Sequence, residues 1–156
     1  MKRIVSDKDC KCYTKMKKVL EKLELADKDY WWLISDAEFI NAKNDSYDLF
    51  FNDGYELIKT ADLVKILDKN DYQWIWGVFS AIPTKYSAEE ILQYDLPYLQ
   101  FFEEGEYNPY YDEPKLQHPL AEFEIYAVDS TEMFIVTGDE KLIDRFKKNY
   151  PRYKLT

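Results

Sequence analysis

The stretch "AEFEIYAVDSTEMFIVT", residues 121–137, decides the fold. Its first half sets Phe123, Ile125 and Ala127 against Glu122, Glu124 and Tyr126. That period of two belongs to a strand with one face on a core and the other toward water. Asp129 and Ser130 turn the chain, and "TEMFIVT" returns as a second strand, which makes an antiparallel hairpin. Just beyond, "TGDE" (residues 137–140) has the spacing of a capping box. The helix it opens puts Leu142, Ile143 and Phe146 inward and Lys147 and Lys148 in its last turns, where positive charge suits the dipole; Pro151 stops it.

Upstream, "DYQWIWGVFSAIP" (residues 71–83) reads as a strand apolar on both faces, with Tyr72, Trp74, Trp76, Val78 and Ser80 on one and Gln73, Ile75, Gly77, Phe79 and Ala81 on the other. Such a strand belongs in the middle of a sheet covered on both sides. "DYWWLIS" (29–35) is a second strand, and "YDLFF" with "YELI" around "NDG" (47–58) reads as a further hairpin. Three more helices are expected. "CYTKMKKVLEKLEL" carries an apolar stripe of Tyr13, Met16, Val19, Leu20 and Leu23 opposite lysines. Thr60 is positioned to cap "ADLVKILDK", whose Leu63, Ile66 and Leu67 share a face, and "SAEE" (87–90) has capping-box spacing before a short helix. Hairpins outnumber β-α-β units, so the expectation is a single α+β domain over residues 1–156. Its sheet should be largely antiparallel, of about five to six strands, with three or four helices packed on it.

Composition bounds the function. With 17% aromatic residues and 46% hydrophobic, the 156-residue chain can build a sizeable core, unlike a disordered chain. Cys10 and Cys12 are too few for a structural zinc site beside one histidine, and across one residue they are poorly placed for a disulfide; they read as reduced thiols. Neither a signal peptide nor a membrane-length apolar run is present, so a cytoplasmic protein without membrane attachment is expected. Net charge is −9, unevenly spread. Residues 1–22 hold eight basic and three acidic side chains and residues 138–156 six and three, which leaves seven basic against 24 acidic in between. That field repels nucleic acid and attracts a cationic partner.

No motif names a reaction. His118 is the sole histidine, and no serine or cysteine has a nucleophile context; its neighbours suggest a structural hydrogen bond at the lead-in to a strand. Glu122 and Glu124 share a strand face and, with Gln117 and His118, form a possible polar site. The simpler reading puts them on the wet side of the sheet. Isolated glycines exclude phosphate-cradling loops. Neither a cofactor nor a metal is called for. Trp31, Trp32, Trp74 and Trp76 read as core, with one of each pair more exposed.

What remains is "FFEEGEYNPYYDEP" (residues 101–114), with five aromatics, five carboxylates and no lysine or arginine. Tyrosine offers contact area with a polar tip, and carboxylates among tyrosines meet arginine and lysine on a partner. Phe102, Glu103, Glu104, Glu106, Tyr107, Tyr110, Tyr111, Asp112 and Glu113 are therefore the candidate partner-binding residues. An ordered stretch is expected, because so many aromatics favour burial or contact.

Two segments, "WGVFSAIP" (76–83) and "LQHPLAEFEIYAVDSTEMFIVTGDEKLIDRFKKNYP" (116–151), resemble a family of small acidic proteins with a domain of unknown function from Bacillus-type Gram-positive bacteria. The resemblance implies a bacterial, cytoplasmic setting and brings no catalytic residues. It also implies that Gln117, His118 and Pro119 act together. In type, though not in motif, the chain also looks like immunity proteins that neutralise toxins. The expectation is a non-enzymatic binding protein occupying a basic, toxin-like protein partner, without direct nucleic-acid binding. Two alternatives stand beside it: a metal-dependent or hydrolytic enzyme using His118 with Glu122 or Glu124, and a phage-type blocker whose acids imitate DNA phosphates.

Overall fold

The computed structural model describes residues 1–6, 14–41, 54–70 and 72–156. Cys10, Cys12, Tyr13 and the expected strand at 47–51 lie outside them. The elements in chain order are β1 (Lys2–Ser6), α1 (Met16–Lys22), β2 (Tyr30–Asn41), β3 (Tyr55–Lys59), α2 (Thr60–Lys69), β4 (Tyr72–Pro83), α3 (Ala88–Ile91), β5 (Phe123–Val128), β6 (Glu132–Thr137), α4 (Glu140–Asn149) and β7 (Tyr153–Leu155). Among the described residues the strands form one antiparallel sheet in the order β3-β2-β4-β5-β6-β1-β7. The α+β class and the four helices match expectation; seven strands exceed the five to six expected. The additions are β1 and β7. Each is short, and β1 is held by pairings with β6 and β7 that join opposite ends of the chain.

The expected hairpin stands as β5–β6, with Phe123 opposite Thr137 and Val128 opposite Glu132. Asp129 and Ser130 both take positive φ, 44° and 64°, the left-handed pair of a type I′ turn. β3 returns along β2.

β4 is central, as expected, but its alternation breaks. Trp76 faces Glu38 while Trp74 faces the adjacent Phe39, so β4 carries an extra residue there. The break turns Tyr72 and Trp74 onto the same face as Phe79 and Ala81, leaving Trp76 and Val78 on the other. Trp32 and Trp74 are fully buried while Trp31 and Trp76 are half-buried.

α1, α2 and α4 cover one face. Met16, Val19 and Leu20 of α1, Leu63 and Leu67 of α2, and Leu142, Ile143 and Phe146 of α4 meet Trp32, Trp74, Phe79, Phe123 and Ile125 in one cluster. Each large apolar side chain removed from water there contributes about 1.5–3 kcal/mol. Two of the three expected caps are corrected. Thr60 lies inside α2, and its hydroxyl accepts from Trp32 Nε1 at 2.9 Å and from the Tyr30 N–H at 3.2 Å. A buried indole N–H needs a partner more than an exposed helix end does. Asp139, not Thr137, caps α4, accepting from the Lys141 N–H at 2.8 Å. The Ser87–Glu90 capping box of α3 is present in both directions.

The second face is covered differently. Apart from the single turn of α3, residues 84–121 cross it as irregular chain. Ile91 packs with Leu33 and Ile82, and Leu99 with Val78, Tyr126, Phe134 and Val136.

Candidate functional site

β5 was expected to keep Glu124 in water. Instead Glu124 is fully buried, and so is Tyr126 on the same side of the strand. The reason is the irregular chain of the second face, which turns that side of β5 into an interior. A carboxylate there must be satisfied by donors, and four reach it. The Gln117 N–H (2.9 Å) and the Tyr126 hydroxyl (2.7 Å) donate to Oε2, and the His118 N–H (2.8 Å) and the Ser80 hydroxyl (3.2 Å) to Oε1. Burial nevertheless holds the Glu124 carboxyl above its ordinary pKa, against the pull of these hydrogen bonds. Glu124 thus pins the backbone of residues 117–118 to the sheet.

The rest of the lead-in completes this clasp. Gln117 Nε2 donates to the Tyr98 carbonyl at 2.7 Å and to the Tyr126 hydroxyl at 3.1 Å, while Gln117 Oε1 accepts from the Tyr98 N–H at 3.1 Å. One carboxamide therefore ties down both backbone groups of Tyr98. His118 is buried as well. Its Nδ1 accepts from the Leu120 N–H at 3.2 Å, so Nε2 carries the proton and donates to the Ile91 carbonyl at 3.0 Å. Burial lowers the His118 pKa, partly offset by that bond. The expected structural hydrogen bond is thus present, and the N–H groups of Gln117 and His118 share Glu124 as their acceptor. Glu122 does not join them. It is exposed, and it accepts from the Tyr30 hydroxyl at 2.8 Å. Among the described residues no group of three or more His, Cys, Asp or Glu is placed to hold a metal ion.

The acidic stretch runs outward from this clasp as ordered chain. Asp36, at φ 45° in the irregular part of β2, accepts from the N–H groups of Leu99 and Gln100, both at 2.6 Å. Ser35 donates to the Pro97 carbonyl at 2.6 Å. Further out, the stretch uses its own carboxylates to fold. Glu106 accepts from the Glu103 N–H and Asp112 from the Asn108 N–H, each at 2.7 Å. Gly105 takes φ 91° at the tip of the first turn, a conformation that costs glycine nothing. From below, the buried Arg3 donates to the Asp112 carbonyl at 2.6 Å.

The candidate contact residues divide accordingly. Phe102 is half-buried and stacks on Tyr98, with ring centroids 6.0 Å apart. The Tyr107 hydroxyl is engaged with both backbone groups of Lys115. Tyr110 packs on Phe134 at 5.5 Å, and burial and nearby acids, Glu132 first, hold its hydroxyl above its ordinary pKa. These three are partly committed to the fold. Glu103, Glu104, Glu106, Asp112 and Glu113 are exposed, as is Tyr111 at 87%, and Phe101, counted among the five aromatics, joins them at 80%. Asp36, Ser80 and Tyr98 were not anticipated. Asp36 had one trace in the sequence, an acid interrupting an apolar strand.

The charge partition also acquires a direction. α1 and α4 together carry seven basic and three acidic side chains, whereas residues 84–121 carry two basic and eight acidic. The basic helices and the acidic chain lie on opposite faces of the sheet.

The model of a family described as proteins of unknown function (DUF2691) matches residues 8–100, and the chain belongs to that family. The match takes in residues 76–83 of the resemblance drawn above and ends before 116–151. No curated protein matches the chain, and no solved structure does. No described helix is long and apolar enough to cross a membrane.

Proposed function

We propose that this chain is a non-enzymatic binding protein of the cytoplasm that occupies a basic protein partner, in the manner of an immunity-type inhibitor neutralising a toxin. One observation carries the reading. The acidic stretch is tied to the sheet through Glu124, Gln117 and Asp36, yet it holds Phe101 and Tyr111 out in water among acids that form no ion pair among the described residues. Large aromatics left that exposed on an ordered, acid-rich surface support the reading of a contact site. The acids steer a cationic partner to this face, and the basic helices on the opposite face turn it away from the other side. Phe101 and Tyr111 then bury as anchors, with Glu103, Glu104 and Glu113 at the rim. Tyr107 and Tyr110 support the surface from within. The hydrolytic alternative gains nothing from this geometry, since His118 has both ring nitrogens engaged and Glu122 is turned toward Tyr30.

Affinity capture from the native host tests the reading. The wild-type protein is expected to retain a basic protein in stoichiometric amount. Phe101→Ala/Tyr111→Ala is expected to lose it, as is Glu103→Lys/Glu104→Lys. Co-expression should relieve whatever toxicity the captured protein has. Retention unchanged in both variants, or no basic protein at all, would contradict the proposal. Displacement of the captured protein by duplex DNA would favour the DNA-imitating alternative.

A further inference from the structure

Beside the exposed aromatics, a pocket of about 250 Å³ opens between residues 95–98 and residues 115–117, with Tyr107 as its outer wall. Its walls are fixed by bonds already described at Gln117, Tyr98 and Tyr107. In addition, the Tyr98 hydroxyl donates to the Tyr107 carbonyl at 3.0 Å. A ligand entering such a site orders little.

The lining combines tyrosine rings, apolar flanks from Leu96 and Leu116, the polar side chains of Lys115 and Gln117, and Asp95, whose carboxylate has no hydrogen bond or ion pair among the described residues. The Tyr98 hydroxyl is held above its ordinary pKa, first by burial and then by the neighbouring Glu106. A cation already uses the pocket. Lys115 Nζ lies 4.3 Å from the centroid of the Tyr107 ring, well inside the reach of a cation–π contact. Lys115 is exposed, and at an exposed site such a contact is weak and readily exchanged.

We propose that this pocket is the socket for one arginine side chain of the partner, with Lys115 holding the place over Tyr107 until the arginine displaces it. The inference rests on the reading of the loop face as a site for a basic protein. Arginine suits the pocket better than lysine does. Its guanidinium is flat, weakly hydrated and stacks on an aromatic face, and it presents paired N–H groups to a carboxylate such as Asp95.

The test uses arginine amide as the probe, with citrulline amide as its uncharged counterpart, followed through the backbone amide resonances of the isotope-labelled protein. Arginine amide is expected to give saturable shifts at Tyr98, Tyr107 and Gln117, and citrulline amide none. Lys115→Gln removes the competing cation and keeps the backbone bonds to Tyr107, so it should tighten arginine amide binding several-fold. Asp95→Asn should loosen it several-fold. Shifts that fail to saturate or spread over the whole acidic surface would overturn the socket, as would a Lys115→Gln variant that binds no tighter. If that happens while wild-type protein still captures a basic partner through Phe101 and Tyr111, the socket alone fails. A saturable arginine site on a protein that captures no basic partner would instead overturn the functional reading alone.

Discussion

The two faces of the sheet are covered by different physics. On the helix face a single apolar cluster runs from Ile4 through Trp74 to Tyr150. Nothing there depends on one bond, because area removed from water stabilises in proportion to its amount and tolerates local change. The loop face has two smaller apolar clusters. Between residues 94 and 118 its chain is placed by directed hydrogen bonds, two of them from the N–H groups of Gln117 and His118 to the single buried carboxylate of Glu124. Stability therefore resides mainly on one face, and the exact placement of a contact surface on the other.

That contrast can be broken at several points. The largest effect is expected beneath the helices. Phe79→Ala deletes a fully buried ring packed edge-on against Trp74, with centroids 4.8 Å apart. It should cost about 3–5 kcal/mol in denaturant unfolding, with every region of the molecule losing stability together. Glu124→Gln comes next, at about 1–3 kcal/mol. An amide can accept on one side only, so its N–H₂ must face either Gln117 and Tyr126 or His118 and Ser80. This loss should open residues 98–118 to limited proteolysis before the sheet yields. Equal proteolysis of both proteins would show that the carboxylate is no clasp.

Proton linkage sharpens the comparison further. The native pKa of Glu124 is raised by burial, so the folded protein holds a proton where the unfolded chain has released one. Its contribution is full below the ordinary carboxylate value of about 4.5 and falls as pH rises through the raised native value. The cost of Glu124→Gln in unfolding titrations should therefore shrink as pH rises. A cost that grows with pH would mean that the four donors outweigh burial. His118 has the opposite sign. Its native pKa lies below the ordinary 6.5, so its contribution is present above pH 6.5 and is lost as pH falls through the native value. Unfolding of Glu124→Gln protein, which isolates this group from Glu124, should show stability declining below about pH 6.5. The smallest effect on folding belongs to the rim. Tyr111→Ala should change stability by less than about 0.5 kcal/mol, yet weaken partner capture about tenfold or more.

Much of the helix face was legible in the sequence, because its elements announce themselves by period. The stripes of α1, α2 and α4 and the β5–β6 hairpin all follow from local spacing. β1 and β7 were not legible, since "KRIVS" and "YKL" are short and become strands only by pairing across the whole chain. The parity break in β4 was equally hidden, because it follows from the register with β2. Glu124 was legible as a residue and misread as an environment. Alternation shows which side chains share a face, not what will later cover it. A clue did exist: Tyr126 and Val128, on the same side as Glu124, are poor choices for a wet surface. The acidic stretch is legible as ordered and aromatic, but which of its rings face outward depends on packing against Tyr98 just before it and Phe134 on a strand further along the chain.

The most direct test of the clasp is amide hydrogen exchange at Leu99, Gln100, Gln117 and His118 in the free protein. Their N–H groups donate to Asp36 and Glu124, so slow exchange is expected at all four, with whichever of Gln117 and His118 meets the new amide N–H₂ accelerated selectively in Glu124→Gln. Exchange at these four amides as fast as in an unstructured peptide would contradict it.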